Sequence, residues 1–332
     1  MLKIIIGKEI DTNAWAGLVE ASPVATWFQT QEAFEFFESL SFLEAFALGV
    51  GNDGKLKGVV VGFIQKDGGK LKQFLSRRAI ISGGPMLADD ITEEELSALL
   101  LATRKQLQRK AIYIESRNFN DYSKWKNTFE KNGFQYEPHL NFHLDTTSLE
   151  TAQSNLGSHR KKYIRLSLRD GAYLVENPTL EQVKNFYEIL ENLYKTKVKT
   201  PLFPFEFFEK LYQKNGKFLL VGLEDIIIGG TVCVCLEGKA VYEWFVCGND
   251  HFRKNIRPSS LATWFGIEYS ANNGYSRFDF MGAGKPNEEY GVRDFKAEFG
   301  GQLVEHGRFH YVCNSLLYFV GKTGVKLLKS KK

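Results

Sequence analysis

Cysteine is scarce, with four in 332 residues, at positions 233, 235, 247 and 313. Cys233 and Cys235 stand one residue apart in the strand-like run "TVCVCLEG". That spacing turns both to one face and is not a zinc C-x-x-C, so buried reduced thiols are expected. Long apolar runs are also missing, and nothing approaches the roughly 20 residues that span a bilayer. The opening "MLKIIIGKEIDTNAW" has neither the apolar region nor the small-residue cleavage site of an export leader. It reads as a first strand, and the expected location is cytoplasmic. Charge of one sign is weak overall: a net +4 does not by itself demand a nucleic-acid partner. No low-complexity linker divides the chain.

The cations that are present cluster. Five Lys/Arg fall in "SHRKKYIRLSLRD" (158–170), three with a histidine in "HFRKNIRP" (251–258), and four lysines in the tail "GVKLLKSKK". Apolar residues at 43% and charged residues at 25% fit a globular protein. At about 150 residues per domain, the length suggests two domains.

The patterning repeats in outline. The first half opens with a strand at 2–6 and helices at 9–20 and 26–40. Strands at 42–50, 55–65 and 70–76 follow, with turn residues at 51–54 and 67–69. "ISGGPML" breaks regular structure. A helix starts at Thr92, with capping and an acidic first turn, and presents Leu96, Leu99, Leu100 and Leu107. A strand at 111–116, a helix from Asp121 to Asn132-Gly133 and a closing strand at 139–145 complete it.

The second half gives helices at 180–194 and 204–214, and strands at 218–224, 226–237 and 240–247. A helix runs from Pro258 to Asn273-Gly274. A strand at 276–280, a short helix at 289–299, a closing strand at 302–313 and a basic amphipathic tail follow. The polar stretch "TTSLETAQS" (146–154) marks the boundary. The expectation is an α+β chain with domains 1–148 and 149–332 and a cleft between them.

Several residues invite chemistry. In "EYGVRDFKAEFGG", Val292, Phe295 and Phe299 form an apolar stripe, and Lys296 lies about 100° round from Phe295. Arg293 is one turn earlier. A fixed cation there would stabilise the oxyanion formed as an amine attacks an ester carbonyl, or hold a phosphate. A solvated helix lysine is the plain alternative. Lys161, Arg165 and Arg169 recur at i, i+4 and i+8, beside Ile164 and Leu168. Their cations suit a diphosphate or form an exposed basic face. Arg253, Lys254 and Arg257 precede the helix at Pro258, whose N-terminus favours anions.

Asp279, between Phe278 and Phe280, is either a general base or a loop-holding group. Glu298, Glu115 and His310 are further base candidates. Arg117 ends a strand, a usual ligand-facing place. Tyr242, Trp244 and Tyr290 line a cleft or fill the core. The tail "SLLYFVGKTGVKLLKSKK" either grazes anionic lipid at the inner membrane face or packs as a terminal helix.

"FEKNGFQ" (129–135) resembles the last helix and strand of a GNAT acyltransferase domain. "RPSSLATWFGIEYSANNGYSRFDFMGAG", followed by "YGVRDFKAEFGG", resembles the FemABX family of peptidoglycan interpeptide-bridge aminoacyltransferases. "WFQTQEAF" resembles that family's early box, with Phe34 where tryptophan is usual, and "HRKKYIRLSLRDG" its R-x-x-I-R segment. The resemblance implies two tandem GNAT-like domains. It implies an amide-forming acyltransferase that moves an amino acid from aminoacyl-tRNA to an amine of a nucleotide- or lipid-linked peptidoglycan precursor. No cofactor beyond these co-substrates is implied. Lys296, with Phe295, would meet the aminoacyl-tRNA end, and Arg165 the acceptor phosphates. Methionine at 296 would then remove transfer and barely alter thermal stability.

The long helical hairpin frequent in members with lipid-linked acceptors has no counterpart. Two alternatives stay open: an N-acyltransferase using acyl-CoA in envelope synthesis, and a non-catalytic binding homologue. A CoA site needs a glycine-bearing pyrophosphate loop. "HFRKNIRPSSLATW" has no glycine, and Pro258 lacks an N–H. "ISGGPMLADDITEE" sets acids where a diphosphate would lie.

Overall fold

Runs rich in Val and Ile, broken by turn residues, assemble into two mixed sheets. The computed structural model describes residues 2–52, 54–66, 76–198, 200–214 and 216–330, with side chains of the last helix to residue 322. The elements in order are β1 (Lys3–Ile6), α1 (Thr12–Ala21), α2 (Gln31–Ser39), β2 (Leu43–Asn52), β3 (Lys55–Gln65), β4 (Arg78–Gly83), β5 (Met86–Leu87), α3 (Glu93–Leu107), β6 (Tyr113–Asn118), α4 (Lys126–Lys131) and β7 (Gln135–Glu137). They continue with β8 (Leu140–Asp145), α5 (Leu149–Asn155), α6 (Ser158–Arg169), β9 (Ala172–Val175), α7 (Leu180–Leu193), α8 (Phe205–Gln213), β10 (Lys217–Leu223), β11 (Ile226–Leu236) and β12 (Ala240–Gly248). The last are α9 (Pro258–Asn272), β13 (Arg277–Asp279), α10 (Gly291–Ala297), β14 (Gln302–Glu305), β15 (Arg308–Val312) and α11 (Ser315–Ser330).

One sheet runs β1-β2-β3-β4-β6-β15-β7, with β5 on β3, and the other β14-β8-β13-β12-β11-β10-β9. In each, an antiparallel meander is joined by a crossover helix to a parallel neighbour: β4 by α3 to β6, and β12 by α9 to β13. This is the tandem GNAT-like order expected.

The strands at the domain ends differ from expectation. β8 does not close the first sheet but pairs with β13 in the second, Arg277 opposite Asp145. Pro138, lacking an N–H, sits between β7 and β8. The segment 302–313 is two strands, broken at Gly307, whose φ of 63° suits glycine. β15 then enters the first sheet between β6 and β7. One compact unit is therefore Met1–His139 with Glu305–Lys332, and the other Leu140–Val304, rather than 149–332.

Helix signals held well. Thr92 and Thr179 make reciprocal caps with Glu95 and Gln182. Leu96, Leu99, Leu100 and Leu107 are all buried, as are Val183, Phe186 and Leu190 of α7. "ISGG" was expected to break structure, yet Ile81–Gly83 complete β4. The expected helix 26–40 is a short 3-10 turn and then α2, because Thr30 caps a fresh start. The turn at 67–69 and, but for Ser76, the strand at 70–76 lie outside the described residues. Among those described, no helix is long and apolar enough to cross a membrane.

Candidate active site

α6 has one inward stripe, Arg160, Ile164 and Ser167 at i, i+4 and i+7. Arg160 is 8% exposed. Its Nη1 donates to Ser260 Oγ at 2.6 Å, and its Nε lies 3.2 Å from Glu298 Oε2. Its guanidinium covers the Phe295 ring at 4.1 Å. Ser167 accepts from the backbone N–H of Arg257 at 2.9 Å. α6 thus clamps the start of α9 to the C-terminal end of α10.

α9 closes its own N-terminus. Pro258 occupies its first turn, and Asp250 Oδ1 accepts from Ser259 N at 3.0 Å. A carboxylate therefore holds the place where a helix start would receive a diphosphate. Beside it opens a cavity of about 970 Å³, lined by Arg160, Tyr163, Asp250, Arg257, Ser260 and Phe295 among others. Arg257 directs Nη1 to the carbonyls of Lys254 and Ile256 and lies over Tyr163 at 5.5 Å.

Lys296 turns inward rather than to open solvent. Its Nζ donates to Phe280 O and Gly282 O, both at 2.7 Å. Burial lowers its pKa, and the attraction of Glu243 and Asp279 offsets this only in part. Glu243 is itself buried on β12. Burial pushes its carboxyl up against the pull of Lys296, and Thr231 donates to its Oε1 at 3.4 Å. Gly300 has φ of 87°, and a Cβ there would meet Asn155 O at 2.0 Å, so the chain leaves α10 against α5 only with glycine.

Asp279 is fully buried. It accepts from Asn141 Nδ2 and Met281 N, both at 2.7 Å, and lies 3.1 Å from His143 Nε2. These bonds hold Met281 at φ 57°, a left-handed conformation rare for its type. This is the loop-holding placement.

The other sequence candidates fall in different places. Arg293 pins Ala283 O at 2.9 Å and also reaches Lys285 O. Tyr290, at the start of α10, is exposed and crosses Gly284. Val292, expected in the core stripe, is exposed, and Phe299 is buried. Lys161, Arg165 and Arg169 lie on the outer face of α6, with Leu168 among them. Arg169 pairs with Asp170, and Arg253 with Glu224. Tyr242 is buried, and Trp244 stacks on Phe245. Cys233 and Cys247 are buried, and Cys235 and Cys313 half-buried.

Arg117 belongs to the first unit. There Glu115 Oε1 accepts from Arg117 at 2.6 Å and Arg308 at 2.7 Å. Arg308 also reaches His139, and His310 lies beside the Tyr113 ring. Burial pushes the Glu115 carboxyl up, but the two guanidiniums bring it down to about 2. The stabilisation it confers is present above its unfolded pKa, about 4.3, and is lost as pH falls through the folded value. Glu115→Gln should flatten that acid limb of an unfolding curve. Equal acid sensitivity in the variant would contradict the assignment.

No motif or period in the sequence marks Asp250 or Glu243. Arg160 alone had a usable signal: counting back four from Ile164 places it on the inward face.

Residues 204–324 match the FemAB family. No curated protein matches the chain in sequence. A crystal structure of FemX superposes with a TM-score of 0.71 at 17% identity, over 96% of this chain and 99% of that one. A tandem GNAT protein from the clavulanic acid biosynthesis pathway gives 0.61 at 9% identity, over 95% and 99%. L-PGS from Bacillus licheniformis gives 0.58 at 13% identity, over 98% and 99%.

Proposed function

We propose that this chain, a FemABX-type acyltransferase by its FemAB match over residues 204–324 and its FemX-like fold, transfers an amino acid from aminoacyl-tRNA to an amine on the stem peptide of a peptidoglycan precursor. The amine nitrogen attacks the ester carbonyl. The new C–N bond forms, the C–O bond to the tRNA ribose breaks, and the amine's proton ends on the departing ribose oxygen. No residue of the chain need hold that proton, because the ribose hydroxyl and the amine can pass it between them.

The observation that carries this reading is the cavity beside the self-capped start of α9. Arg160, Tyr163 and Phe295 offer a cation and aromatic faces suited to a nucleotide end. Asp250 on Ser259 N removes the anion seat that a CoA diphosphate would use, and its charge repels one. Lys296 acts as a positioning residue, since it fixes the 280–282 loop from the helix that carries Phe295. Lys161 and Arg165, exposed on α6, would attract acceptor phosphates at longer range in a cytoplasmic reaction.

The test is a transfer assay with purified protein. Radiolabelled aminoacyl-tRNA pools and precursor are run beside acyl-CoA donors. Label should enter the precursor from tRNA. Incorporation from acyl-CoA alone would overturn the proposal.

A further inference from the structure

The first unit carries an exposed apolar face on its last helix, α11. α11 starts on a cap, Asn314 Oδ1 accepting from Leu317 N at 2.9 Å. Tyr318 anchors it, with its ring 5.7 Å from Tyr113 and 5.1 Å from His310. On the opposite side Leu316, Phe319 and Val320 recur at i, i+3 and i+4. They are 72%, 69% and 47% exposed. An exposed phenylalanine between two exposed aliphatics forms one contiguous apolar strip rather than scattered single residues.

Charge says what would cover it. Residues 306–332 contain five lysines and no Asp or Glu, although the whole chain nearly balances at +4. Lys322, next in the described helix, is exposed and lies near the Tyr318 ring. A second copy of the chain would bring the same positive segment to the contact, and like charges would oppose it. An anionic lipid surface matches both features. Apolar side chains enter the headgroup boundary while lysines meet the phosphates.

We propose that α11 is an interfacial helix that rests on anionic bilayers through Leu316, Phe319 and Val320. It spans nothing and anchors reversibly. The inference is independent of which acyl group the second unit transfers.

The full chain is sedimented with phosphatidylcholine vesicles, with and without phosphatidylglycerol. Binding should appear only with phosphatidylglycerol and weaken as salt rises. Phe319→Glu, at an exposed position, should lower the bound fraction by about tenfold or more, since insertion scales with buried apolar area. Its melting temperature should not change. No binding to phosphatidylglycerol vesicles, or equal binding by Phe319→Glu, would overturn the proposal. So would a concentration-dependent dimer that Phe319→Glu dissolves without any vesicle binding, because a second copy would then own the face.

Discussion

Lys296→Met should melt about 10 °C below the parent protein, as well as losing most transfer. The ammonium is the donor to two carbonyls, Phe280 O and Gly282 O. Methionine fills similar volume but donates nothing, so both acceptors lose their partner in a half-buried site. At about 1–3 kcal/mol for each group left unsatisfied, the cost is on the order of 3 kcal/mol. In a domain of this size that corresponds to roughly 2–4 °C per kcal/mol. This corrects the expectation from sequence that stability would barely change, which assumed a lysine facing a groove.

The variant's pH response gives a second readout. Glu243 loses the cation that draws its pKa down, so its folded value, already raised by burial, climbs further. A carboxyl raised on folding contributes stability that is full below its unfolded pKa and lost as pH rises through the folded one. Lys296→Met should therefore recover part of its deficit under mild acid, where the parent recovers less. Thermal melts of both proteins across pH check this. Coincident curves would mean that Lys296 and Glu243 do not sense each other. Transfer measured at a temperature where both are folded then separates lost activity from lost fold.

The difference between the two pictures of Lys296 shows where sequence stops being informative. Period-3.6 and period-2 patterns found most of the longer elements, because each must bury one face and local spacing records that face, but not the short β9 and α5 nor β4 beside its glycines. Leu96, Leu99, Leu100 and Leu107 are the plain case. The exchange of β8 and β15 between sheets left no such trace, since a strand alternates identically whichever sheet receives it. The same limit applied to α6. Lys161, Arg165 and Arg169 do share a face, but it is the outer one, and the cation that α6 gives to the cavity wall is Arg160, one position earlier. One residue on a helix is about 100°, enough to move a guanidinium from solvent to site. Asp250 was beyond reach for another reason. Its role depends on Ser259, nine residues on, meeting it across a loop with no regular period.

Asp279→Ala should destabilise the second unit by about 3–5 kcal/mol. The parent carboxylate accepts from Asn141 Nδ2 and Met281 N and faces His143 Nε2. Alanine leaves these donors buried around a void and releases Met281 from its left-handed turn. That turn carries the Gly282 carbonyl on which Lys296 rests, so loop and lysine should loosen together. Asp279→Asn keeps the shape but loses the charge and turns an N–H toward one of these donors. It should fall between parent and alanine.

The pH sign follows from the same contacts. Burial pushes the Asp279 carboxyl up, and His143, Arg277 and Asn141 bring it below its ordinary value. Its stabilising contribution is therefore present above an unfolded pKa of about 3.9 and disappears as pH falls through the folded one. Urea midpoints taken from neutral pH into acid should decline for the parent and converge on those of Asp279→Ala. Curves that stay parallel down to the lowest pH would show that the carboxylate is not what holds the loop.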